Sequence, residues 1–144
     1  MKTITSKYIF WLGLFLALLV IGATFAVNLV GSVYGGQASL WQFAMTMFYT
    51  VFWCAFSWLS VKYVSLRKIV LAISLLTLIS SAITFICVIT NRGFVIEAIL
   101  SVFATIPFYG VRYFISWDGL YGCTFVVSLV WFIFAVIQLR KSIK

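Results

Sequence analysis

The chain predicts an all-α polytopic membrane protein: a four-transmembrane-helix bundle with an additional external interfacial or re-entrant helix, all in one domain over residues 1–144. Three observations predict it. Apolar residues fill 65% of the 144 positions and mean hydropathy is +1.22, well beyond what a water-facing surface carries. The apolar runs approach or exceed the roughly 20 residues of helix that a hydrocarbon core of about 30 Å requires. Lys and Arg gather at alternate breaks between those runs, the asymmetry of cytoplasmic flanks. Helix is favoured over strand because in lipid a lone helix satisfies its own backbone, whereas strands must close into a barrel.

The first span covers about 8–30, preceded by Lys2 and Lys7. This run is longer than the roughly 7–15 residues of a signal-peptide core, so it is read as an uncleaved helix. A break at 31–37, with three glycines and no Lys or Arg, marks an external turn. The second span covers about 40–61 and ends on Lys62, Arg67 and Lys68 at an internal turn. A third span follows over 69–89, and the last runs over 120–139 into Arg140, Lys141 and Lys144.

The segment 94–112 decides the number of crossings. Phe94 to Tyr109 is apolar over 16 positions, only about 24 Å as a helix, and contains Pro107. Glu97, Ser101, Thr105 and Arg112 recur at helical steps, with Val95, Ile99, Val102 and Ile106 on another face, as in an interfacial or re-entrant helix. Four crossings keep eight Lys and Arg inside and only Arg92 and Arg112 outside; a fifth would strand the basic tail externally. Four is the better count, with five spans as the alternative.

The chain has no histidine, two acidic residues and three cysteines, which leaves little for acid–base or nucleophilic catalysis. Zinc-ligand spacings, a Gly-x-Ser-x-Gly elbow and a phosphate loop are missing from the sequence. No enzyme activity, cofactor or metal is expected. The net charge of +8 is explained by topology rather than by nucleic acid.

Glu97, Arg112, Asp118 and Arg92 are the acid and base constellation, placed at the external boundary as candidate ligand or partner contacts. Cys87 and Cys123 flank that boundary on the third and fourth spans, where a disulfide is allowed; Cys54 reads as packing. Ser74, Thr77, Ser81 and Thr84 form one stripe for helix packing, and Gly13 with Ala17 and Gly22 with Ala26 repeat a small-residue spacing for internal packing or dimerisation. Trp11 and Trp58 near one boundary, and Trp41 and Trp117 near the other, read as depth anchors. Phe48, Tyr49, Phe52, Trp53 and Phe56 crowd the second span, where an aromatic ligand wall competes with simple filling of space.

In length and span count the chain resembles the small multidrug transporters. That family depends on an acidic residue in its first span, and 8–30 holds none, so the likeness stops at architecture. The leading expectation is a non-catalytic integral membrane protein acting by intramembrane binding. It would serve as an accessory subunit or an immunity-type protein, and its partners would be the lipid bilayer and a membrane protein or a second copy. A small-solute or ion transporter or channel, working as a homo-oligomer, is the alternative. The expected location is the plasma membrane of a bacterium, with both termini cytoplasmic.

Overall fold

The computed structural model describes residues 2–34, 36–90, 100 and 105–140, with the side chains of 2–6, 33, 117 and 118 left out of the description. Helix dominates and no strand occurs among the described residues. Four long helices run in sequence: α1 (Lys2–Tyr34), α2 (Leu40–Lys62), α3 (Val64–Thr90) and α4 (Trp117–Arg140). Between α3 and α4 lies a 3-10 helix, η1 (Ile106–Tyr113). All four long helices are long and apolar enough to cross a membrane.

Their order follows from local chemistry. Ser39 opens α2 with a capping box: its hydroxyl accepts from the Gln42 amide at 3.3 Å, and Gln42 Oε1 accepts from the Ser39 amide at 2.8 Å. The turn into α3 is tighter than the sequence suggests. Tyr63 alone separates α2 from α3, in extended conformation at φ −111°, ψ 102°. Arg67 and Lys68, expected in that turn, therefore sit in the opening turns of α3. Ser116 precedes α4 and accepts from the Gly119 amide at 3.3 Å. Each reversal makes consecutive long helices antiparallel.

The bundle is apolar outside and hydroxyl-lined inside. Leu, Phe, Val and Ile project outward from every helix, while Thr24, Asn28, Thr46, Ser74, Thr77, Ser81, Thr84, Thr124 and Ser128 are buried. Most hydroxyls bond back to their own helix: Ser74 to the Leu71 carbonyl at 3.1 Å, Thr77 to Ile73 at 2.8 Å and Ser81 to Leu78 at 3.0 Å. Once so satisfied, these small side chains let helices approach closely, and α3 packs most extensively on α4. The stripe Ser74, Thr77, Ser81 and Thr84 is thus a buried helix contact.

The two small-residue pairs of α1 diverge. Gly13 and Ala17 face inward, and a Cβ at Gly13 would lie 2.5 Å from Leu66 Cδ2 and 3.3 Å from Phe56 Cζ. Gly22 and Ala26 are exposed, and a Cβ at Gly22 meets nothing within 4 Å. Internal packing is therefore carried by the first pair alone.

A single guanidinium ties the end of the bundle that bears Lys7 and Arg140. Arg67 Nε donates to the Ser60 carbonyl at 2.9 Å, Nη2 to Val61 at 2.7 Å and Nη1 to Gln138 at 3.4 Å. The Ser60 and Val61 carbonyls belong to the final turn of α2, which leaves them without a partner in their own helix, so one cation caps α2 and reaches across to α4 at Gln138.

Gly13→Val should cost about 1–3 kcal/mol by overpacking against Leu66 and Phe56. Gly22→Val should leave stability nearly unchanged, and thermal unfolding of the two variants in the same detergent measures the contrast.

Candidate functional site

The end of the bundle away from Lys7 and Arg140 holds a compact polar knot. Asn28 of α1, the one amide side chain in the first span, is fully buried. Its Nδ2 donates to Thr46 Oγ1 at 3.2 Å and to the Pro107 carbonyl at 3.3 Å. Thr46 Oγ1 donates to the same carbonyl at 3.0 Å and accepts from the Gly110 amide at 3.0 Å. A hydroxyl offers one donor and two acceptor positions, and Thr46 uses all three. The knot nails η1 between α1 and α2.

Pro107 explains why this segment is a 3-10 helix docked inward. Proline disfavours helical geometry in the residue before it and brings no amide hydrogen of its own, while its carbonyl stays available to Asn28 and Thr46. Glycine at 110 lets the backbone touch α2: a Cβ there would fall on the Gln42 carbonyl oxygen and within 2.5 Å of Thr46 Oγ1. Residues Thr105 to Gly110 are consequently all buried. An interfacial helix with Ile106 facing lipid and Thr105 facing water does not describe this stretch. Both are covered, because η1 turns its apolar side to the bundle.

Tyr109, fully buried, donates its hydroxyl to the Gly36 carbonyl, and Arg112 Nη2 reaches the same carbonyl at 3.3 Å. Burial pushes the Tyr109 phenol above its ordinary pKa, against the downward pull of Arg112, so it stays a proton donor at neutral pH. Arg112 Nη1 also donates to the Ile115 carbonyl at 3.5 Å. Of the four charged residues expected as contacts, Arg112 is thereby placed at the join of η1 and the α1–α2 loop. Arg92 and Glu97 lie outside the described residues, and Asp118 is described only as backbone in the first turn of α4.

Above the knot, η1 presents an aromatic ledge. Tyr113 stacks on Phe43 with centroids 6.1 Å apart, Phe114 meets Phe43 edge-on at 5.1 Å, and Tyr113 and Phe114 are 4.9 Å apart. Phe114 is nonetheless 69% exposed and Tyr113 40%. Three rings are locked against one another, and two keep open surface.

A second feature lies between α2 and α4. These helices splay apart and leave a cleft of about 550 Å³, lined by Tyr49, Trp53, Trp58, Phe108, Trp131 and Phe134 among others. Of the five rings expected as a wall on α2, Tyr49 and Trp53 line this cleft together with residues of α4 and η1, whereas Phe52 and Phe56 line a separate cavity against α1. The polar groups of the α2–α4 cleft face inward or are spent: Trp131 Nε1 donates to Ser57 Oγ at 2.9 Å, and Thr50 to the Thr46 carbonyl at 2.9 Å.

The disulfide allowed between Cys87 and Cys123 is not formed. All three cysteines are free, and near that level α3 and α4 meet through Phe85 stacked on Phe125 with centroids 5.6 Å apart. Asn28, Thr46, Tyr109 and Gly110 were not singled out from the sequence. The signal for the first was available, since a lone amide within an apolar span is costly unless it is bonded.

Thr46→Val should destabilise the protein by about 1–3 kcal/mol by leaving the Gly110 amide and Pro107 carbonyl short of partners. Thr46→Ser should restore most of the loss, and protease protection of the η1 segment would report its release in the valine variant.

Compared with family models, with curated proteins and with solved structures, the chain finds no match in any of the three.

Proposed function

We propose that the protein is a non-catalytic integral membrane protein that acts by binding a partner at the membrane, as an accessory subunit of a membrane complex or as an immunity-type protein. The observation that carries this reading is the ledge of Phe43, Tyr113 and Phe114 on a docked η1. Exposed aromatic rings already packed against one another lose less freedom on binding, and such rings dominate the energetics of protein interfaces. The knot of Asn28, Thr46 and Pro107 supplies the rigidity. Arg112 beside the ledge adds a cation able to orient an acidic or carbonyl-rich partner surface.

The charge distribution supports the orientation. With Lys7, Lys62, Arg67, Lys68 and Arg140 at one end and Arg112 at the other, the end bearing the termini is cytoplasmic and the ledge faces outward. The location proposed is a bacterial cytoplasmic membrane.

A second reading, transport of a small solute or ion by a homo-oligomer, draws on one specific observation. Asn28 Oδ1, Ser80 Oγ, Thr84 Oγ1 and Thr105 Oγ1 are buried without a hydrogen-bond partner among the described residues. Buried oxygens of this kind are places where water or a polar solute would be held.

The two readings separate experimentally. A photo-crosslinking residue in place of Phe114 should yield one discrete adduct in cells, and the same residue in place of the outward-facing Leu76 should yield none. Solute or ion flux by the purified protein alone in liposomes, abolished by Asn28→Leu, would overturn the binding role in favour of transport.

A further inference from the structure

The two helices that line the cleft, α2 and α4, each end on a cation, and cleft and cations together match the depth of one leaflet of lipid. On α2 its lining runs from Tyr49 to Trp58, and Lys62 follows at the end of the helix. From Lys62 back to Tyr49 is about 20 Å at the rise of an α-helix. Half of a hydrocarbon core plus one headgroup layer is also about 20 Å. On α4 the lining runs from Val126 to Phe134, with Arg140 about 9 Å beyond.

Lys62 and Arg140 are brought to the same end by the Arg67 clamp, whose one guanidinium holds the carbonyls of Val61 and Gln138. Arg67 is occupied by that task, while Lys62 and Arg140 are exposed. Two exposed cations, Lys62 with its ammonium 5.6 Å from the Tyr63 ring and Arg140, thus stand at the helix ends toward which this apolar cleft runs.

The lining chooses between occupants. Close association of a transmembrane helix calls for small residues or for cross-helix hydrogen bonds. This cleft instead shows Trp53, Trp58, Phe108, Trp131 and Phe134, and its Ser57 hydroxyl is taken by Trp131. A bulky, irregular, apolar wall suits a flexible hydrocarbon chain, which conforms to gaps that a rigid helix leaves empty. We infer that the cleft is a binding site for one anionic phospholipid, its acyl chain along Trp53 and Trp131 and its phosphate between Lys62 and Arg140.

The cleft reaches Phe108 of η1, but its headgroup contacts Lys62 and Arg140 lie at the opposite end of the bundle from the aromatic ledge, so the site stands whether or not that ledge binds a partner. With Trp11, Trp41 and Trp117 replaced by Phe, the remaining Trp53, Trp58 and Trp131 report on it, because bromine on an acyl chain quenches tryptophan only at contact range. The purified full chain is placed in phosphatidylcholine vesicles containing a small fraction of phosphatidylglycerol, with bromine on the chains of one lipid or the other. Brominated phosphatidylglycerol should quench several-fold more strongly than the same fraction of brominated phosphatidylcholine. The preference should fall on the order of fivefold for each of Lys62→Gln and Arg140→Gln. Molar salt should collapse it with Lys62 and Arg140 intact, a readout that needs no charge variant. Equal quenching by the two lipids would overturn the site, as would a preference indifferent to salt. Equal quenching accompanied by efficient Cys54–Cys54 crosslinking would assign the cleft to a second copy of the chain instead.

Discussion

A polar group that faces hydrocarbon has no water to bond, and this constraint orders the molecule from side-chain rotamers to helix order. It explains why the hydroxyls turn inward and bond back to their own helices, and why Leu, Phe and Val cover the outside. It also explains why the break at Pro107 lies inside the bundle. A carbonyl released from helical bonding at that depth must find donors, and Asn28 and Thr46 are the donors it finds. The same demand operates at the other end, where the final carbonyls of α2 meet Arg67, which also reaches the Gln138 carbonyl of α4.

The two ends therefore differ in kind. The end bearing Lys7 and Arg140 is closed by one long cationic side chain, and the core of the distal knot by short neutral groups, with Arg112 bonded at its edge. Neutral bonds of this type are insensitive to ionic strength, so the knot of Asn28, Thr46 and Pro107 beneath Phe43, Tyr113 and Phe114 does not depend on salt. The ring contacts there build on that knot rather than create it.

The four long helices were legible in the sequence because each is a long apolar run bounded by charge or glycine, a signal that needs no tertiary information. The buried stripe of α3 was legible for a similar reason: Ser74, Thr77, Ser81 and Thr84 repeat at the helical period. The turn at Tyr63 was not, since Lys62, Arg67 and Lys68 resemble a loop, and only the clamp that Arg67 makes across 71 residues shows why a cation belongs inside α3. The docking of η1 was hidden for a related reason. Helical spacing assigns Thr105 and Ile106 to different faces, but Pro107 shifts the segment to a 3-10 turn, where that spacing no longer applies. The cleft between α2 and α4 could be half anticipated from the rings of α2. The other half depends on how far two helices splay, which no local pattern records.

The Arg67 clamp also carries a consequence for biosynthesis. Its first two acceptors, Ser60 and Val61, precede it in the chain, whereas the third, Gln138, is made 71 residues later. For the interval between, the nascent chain holds a guanidinium that is only partly engaged at the membrane edge. Arrival of α4 completes the set, so a helix made well after the clamping residue is the one that latches the assembly.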